Sequence, residues 1–182
     1  VCLGIEINKI ERLFQTYSYN QSINLSNNIS FQFLDAKHIP GSSSILIDLK
    51  QDIGRKRIFF SGDVGSGLDN IIKGKPETPP DVDYVFIEST YGGKKRKMLK
   101  DPFREFYQDL NDALMDDRVV WIPSFVLDRT QKVLNTIRIG QQEGRLPKSI
   151  NIKVVSSTAK KVNTVYDQYF DYRPSTLNES YS

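Results

Sequence analysis

Apolar residues fall first at helical spacing, then in short strand-like runs, then at helical spacing again. Ile5, Ile7, Ile10, Leu13 and Phe14 lie roughly on one face, so residues 1–14 predict the end of a helix. Residues 15–30 are rich in Asn, Ser and Tyr, which favour turns and short strands. Strand-like runs follow at 29–34, 44–49 and 57–61, the last two separated by the turn signal Gln51-Asp52-Ile53-Gly54-Arg55-Lys56. Together they predict a β-meander. Residues 65–80 read as loop, since Pro76, Pro79 and Pro80 have no place in a central strand. Asp-Tyr-Val-Phe-Ile at 83–87 predicts one more buried strand, ending at Glu88.

Past Gly92-Gly93 the period changes. Asp101-Pro102 predicts a helix start, with Asp as cap and Pro in the first turn. Phe103, Phe106, Tyr107, Leu110 and Leu114 follow at helical spacing. A strand is expected at 119–122, and a helix at 129–139 with Val133, Leu134 and Ile137 inward. A second strand is expected at 150–155, and a helix at 159–170 with Val162, Val165, Tyr166 and Tyr169 on one face. Such alternation predicts an α/β unit with parallel strands in three layers. The change of period falls near 92–100 and divides the chain into residues 1–92 and 93–182.

The 182 residues suffice for one or two domains with a real core. Hydrophobic residues make up 38% and no apolar run approaches the ~20 residues of a membrane-spanning helix, so no membrane partner is expected. Val1-Cys2-Leu3-Gly4 has no Met, no basic stretch and no apolar leader, and reads as a chain cut in mid-domain. The lone cysteine, Cys2, forms no internal disulfide, which points to a reducing compartment and a cytoplasmic setting. A net charge of +3 permits a nucleic-acid partner without demonstrating one.

The candidate chemistry sits at the ends of the strand-like runs. His38, the only histidine, follows the first; Asp63 follows 57–61; Glu88 follows 83–87. A neutral imidazole is the commonest zinc ligand. A carboxylate such as Asp63 is either a turn residue or a bridge between two metal ions, as two-metal hydrolysis requires. Glu88 is either a solvated strand terminus or a group that orients a ligand. A Ser-His-Asp hydrolase assembled from Ser42 or Ser61 with His38 and Asp63 lacks the Gly-x-Ser-x-Gly turn that would expose its nucleophile.

Three segments carry these residues in order. They are Asp35-Ala36-Lys37-His38-Ile39-Pro40-Gly41-Ser42, Ser61-Gly62-Asp63-Val64-Gly65 and Glu88-Ser89-Thr90-Tyr91-Gly92. In this the chain resembles the metallo-β-lactamase fold, and specifically its β-CASP branch of RNA- and DNA-processing nucleases, which includes ribonuclease J and the endonuclease of mRNA 3′-end formation. Ile122-Pro123-Ser124-Phe125 with Arg129 and Gln131 is similar to the family's strand-to-helix segment in its inserted domain. The resemblance implies part of an αββα sandwich followed by part of a β-CASP domain with parallel βα units. It implies that His38 is a zinc ligand, that Asp63 bridges two zinc ions, and that Glu88 supports the catalytic centre. The implied reaction is hydrolysis of an RNA phosphodiester, with DNA as the other possible substrate, by a metal-activated hydroxide.

The chain departs from the pattern in places. Lys37 stands where the family has glycine, Pro40 where it has leucine, Ser66 where arginine is common and Ser156 where it has aspartate. The family's His-x-His-x-Asp-His cluster and its late histidines are not among these residues, so the 182 residues alone are expected to be inactive. A non-catalytic scaffold subunit of the same branch, binding RNA or protein, is the alternative. Lys94, Lys95, Arg96 and Lys97 form the strongest basic cluster, either a solvated linker or a contact to the phosphate backbone. The family further implies a homo-oligomer or the subunits of a processing complex as partners, and a nuclear setting if the protein is a eukaryotic mRNA-processing homologue.

Overall fold

The computed structural model describes residues 9–67, 71–95, 100–116 and 118–169. They fall into two compact units. One runs through Gly67 and takes in Gly74–Ser89; the other holds residues 71–73 and continues from Thr90.

The first unit is a five-stranded sheet in sequence order: β1 (Ile23–Asn24), β2 (Ile29–Asp35), β3 (Ser43–Lys50), β4 (Arg55–Phe60) and β5 (Tyr84–Phe86). Neighbours β1 to β4 pair antiparallel, giving the meander that the turn signals predict, and β5 joins β4 in parallel. The pleat sends Leu34, Leu46 and Phe59 to one face, where they form a buried cluster under Val82. Phe60 and Phe86, paired in register, stack on the opposite face with ring centroids 4.7 Å apart. Asp48 is buried in β3 and neutralised by Arg55 and Arg57 of β4. Contrary to the buried strand expected at 83–87, Tyr84, Val85, Phe86 and Ile87 are all exposed. Among the described residues β5 is the last strand of the sheet, with a pairing neighbour on one side only.

Asp83 ties β4 to the segment before β5. Its carboxylate accepts from Lys56 Nζ at 2.7 Å and from the Arg57 N–H at 2.8 Å, and the lysine holds it below the ordinary carboxylate range. A carboxyl more acidic folded than unfolded stabilises fully above its unfolded pKa, and that stability is lost as pH falls through the folded value. Asp83→Asn is therefore expected to lower stability at neutral pH and to converge on the wild type below about pH 4. Urea midpoints across that range check it; a constant gap would contradict it.

Residues 9–11 are helical and end in a turn, while residues 1–8, with Cys2, Ile5 and Ile7, lie outside the described residues. Ile10, Leu13 and Phe14 are exposed, so the expected apolar face is not buried there.

The second unit holds α1 (Arg104–Met115), α2 (Arg129–Gln142) and α3 (Ser157–Tyr169). Tyr107 and Leu110 of α1 pack with Ile137 of α2 and Leu146, with Phe103, Phe106, Leu114 and Val133 against them. Leu134 of α2 packs with Ala159 and Tyr166 of α3 and with Val154. Val162 joins that core, whereas Val165 and Tyr169 are exposed, and Phe170 lies outside the described residues. Helix α1 begins later than Asp101-Pro102 predicts. The Asp101 carboxylate accepts from the Phe103 N–H and the Arg145 guanidinium, holding residues 101–103 as a turn ahead of the helix. Gln131 is fully buried; its amide donates to Asn163 Oδ1 at 2.8 Å and to the Val126 carbonyl, joining α2 to α3.

The strands expected at 119–122 and 150–155 are not formed. A strand exists through its ladder, and no described segment pairs with either one. Ile150 and Ile152 pack inward, while Trp121 is 79% exposed and Val155 83%. Among the described residues no helix is long and apolar enough to cross a membrane.

Candidate metal centre

Sheet topology brings the three motif segments to one end. β2 ends at Asp35 opposite the start of β3 at Ser43, and Phe60 at the end of β4 pairs with both Ile45 of β3 and Phe86 of β5. The loops after β2, β4 and β5, carrying His38, Asp63 and Glu88, therefore leave the sheet at the same edge.

Two of these loops touch through their backbones. The Gly65 N–H donates to the Ala36 carbonyl at 2.8 Å. A Cβ at position 65 would fall 1.8 Å from the Lys37 carbonyl oxygen and 3.0 Å from the His38 nitrogen, so only glycine fits. The third loop is tied to the second. Glu88 Oε1 accepts from the Val64 N–H at 3.2 Å, and the Ser61 hydroxyl accepts from the Glu88 N–H at 3.0 Å. Ser61 is buried, and its carbonyl accepts from Ser44 Oγ of β3 at 2.7 Å. Glu88 thus braces the peptide next to Asp63, while Asp63 is exposed and His38 half-buried.

Lys37 stands in the left-handed region, with φ 54°, where glycine is the unstrained choice. Its ammonium lies 2.8 Å from Asp35 Oδ2, its N–H donates to Asp35 Oδ1, and the carboxylate beside it raises its pKa. Motif matching does not reveal the role of Glu77. Its carboxylate accepts from the Asp35 N–H, its N–H donates to the Asp35 carbonyl, and Asn20 caps it. No local signal marks that contact, because Glu77 reaches β2 from the proline-rich loop.

Imidazole and carboxylate suit zinc as donor types, and the loops bearing them are in contact. Their number is short of a closed site. Among the described residues no three His, Cys, Asp or Glu side chains gather to hold an ion. His38 and Asp63 therefore fit as part of a donor set.

Lys94 and Lys95 are exposed in the second unit, with Lys94 Nζ 5.6 Å from the Tyr91 ring centroid. Arg96 and Lys97 lie outside the described residues.

No family model matches the chain. Curated relatives do. A ribonuclease of Thermus thermophilus is 31% identical over 144 residues, 79% of this chain and 32% of its own length. An RNase J-like protein of Methanocaldococcus jannaschii is 28% identical over 134 residues, 71% of this chain and 30% of its own. Cleavage and polyadenylation specificity factor subunit 3 of Dictyostelium discoideum is 26% identical over 169 residues, 93% of this chain and 21% of its own. The chain thus spans a third or less of the length of these relatives. With its three ordered motifs at one sheet edge and this similarity across most of its length, the chain belongs to the β-CASP branch of the metallo-β-lactamase fold family.

Proposed function

We propose that these residues are part of a zinc-dependent ribonuclease that hydrolyses RNA phosphodiester bonds. The first unit would contribute to the metallo-β-lactamase domain and the second to the β-CASP domain, in a reducing, cytoplasmic setting. The observation that carries the reading is the backbone contact of Gly65 with Ala36 and Lys37, which holds the Asp63 loop against the His38 loop. Family membership implies a metal, and the imidazole and carboxylate are the donors this chain would give to zinc. When bound, zinc supplies an acidified water and neutralises charge that develops on the phosphate. His38 and Asp63 would bind and orient the ion. Glu88, bonded to the Val64 N–H, would keep the Asp63 backbone in place. Exposed Lys94 and Lys95 would attract the RNA backbone. The described residues alone supply too few donors for tight zinc binding or for cleavage.

One observation favours the scaffold reading instead. Lys37 places a cation, strained and paired to Asp35, one residue before His38. The two readings separate in a protein of the relatives' length that contains these residues. Chelation is expected to abolish its RNA cleavage and zinc to restore it. A metal-replete protein that binds RNA and never cuts it would overturn the nuclease reading in favour of the scaffold.

A further inference from the structure

We propose that Ser42 is the positioning residue for His38, fixing the backbone from which the imidazole meets the metal; this rests on the zinc reading above. The Ser42 hydroxyl oxygen accepts from the His38 N–H at 3.0 Å and from the Ile39 N–H at 3.2 Å. Both lone pairs of one hydroxyl are thereby used on the candidate ligand and its neighbour. The backbone of Ser42 closes the same loop. Its N–H donates to the Ile39 carbonyl at 3.0 Å, and its carbonyl accepts from the Ala36 N–H at 3.3 Å and the Tyr19 hydroxyl at 3.0 Å. Every polar group of Ser42 therefore acts on residues 36–39 or anchors them to Tyr19. The other side of that turn is pressed against Gly65. A ligand held this way meets its ion in one orientation, and groups that orient metal ligands strongly affect metal affinity.

Zinc alone is the probe, titrated into the metal-free, isotope-labelled protein of the relatives' length while the His38 ring nitrogens and the amides around Asp63 are followed by NMR. The wild type is expected to show saturable shifts at both places. Ser42→Ala leaves two N–H groups without their acceptor and is expected to weaken zinc binding about ten- to a hundredfold, with Ser42→Thr returning close to wild type. Circular dichroism gives the temperature at which each variant is folded and comparable. Wild-type zinc shifts persisting unchanged in Ser42→Ala would overturn the positioning role alone. No zinc shift at His38 in the wild type would instead overturn the metal reading on which it rests. Should Ser42→Ala not fold, amide exchange in the wild type decides. Slow exchange at His38 and Ile39 supports the hydroxyl anchor, and exchange at free-loop rates overturns it.

Discussion

Gly65→Ala is expected to destabilise the first unit by about 3 kcal/mol, the upper end of what overpacking costs. The added methyl would lie 1.8 Å from the Lys37 carbonyl oxygen, and the obstacle is backbone, which has no rotamer to escape into. Relief requires the 62–65 loop to leave the 36–38 loop, which breaks the Gly65–Ala36 hydrogen bond and separates Asp63 from His38. Gly54→Ala is the matched control. It sits in the β3–β4 turn at φ 93° with nothing within 4 Å of its Cβ, so only backbone strain of about 1 kcal/mol applies. Urea unfolding of both variants decides between close packing and general glycine strain. Equal losses would mean that the two loops are not in the contact described.

Asp63→Ala is expected to reduce RNA cleavage by the longer protein about a thousandfold or more, since several kcal/mol of charge stabilisation depends on the metal that it would hold. Glu88→Gln keeps an oxygen to accept the Val64 N–H and is expected to lose far less. Equal losses in the two variants would give Glu88 a direct part in the chemistry. Cleavage rates on one RNA, measured with zinc present at saturation, separate these outcomes.

Much of the first unit is legible in the sequence, because alternation in 29–34 and 44–49 and the Gly54 turn act locally. The meander sends the His38 and Asp63 loops out by one end of the sheet, while Glu88 joins them only because β5 pairs with β4 in parallel, a long-range contact that no local pattern announces. What sequence does not reveal is who holds whom. Ser42 bonding His38 lies within one turn and carries a spacing signal; Glu77 capping Asp35 and Ser44 bonding the Ser61 carbonyl join distant segments and carry none. In the second unit, periodicity places the three helices, because an apolar stripe needs only one neighbour to bury it. It fails at 119–122 and 150–155, where Val-Val-Trp-Ile and Ile-Asn-Ile-Lys-Val-Val have strand composition but no described ladder partner. Composition sets what a segment prefers, and pairing decides whether it becomes a strand. Asp101 misleads differently: its carboxylate does accept from the Phe103 N–H, but residues 101–103 stay a turn and the helix starts only at Arg104.

If the His38 and Asp63 loops together hold metal, zinc counted per molecule in the longer protein, wild type beside Asp63→Ala, reveals it. About two ions are expected in the wild type, with the loss of at least one in the variant. An Asp63→Ala protein that retains its full zinc content would contradict that expectation.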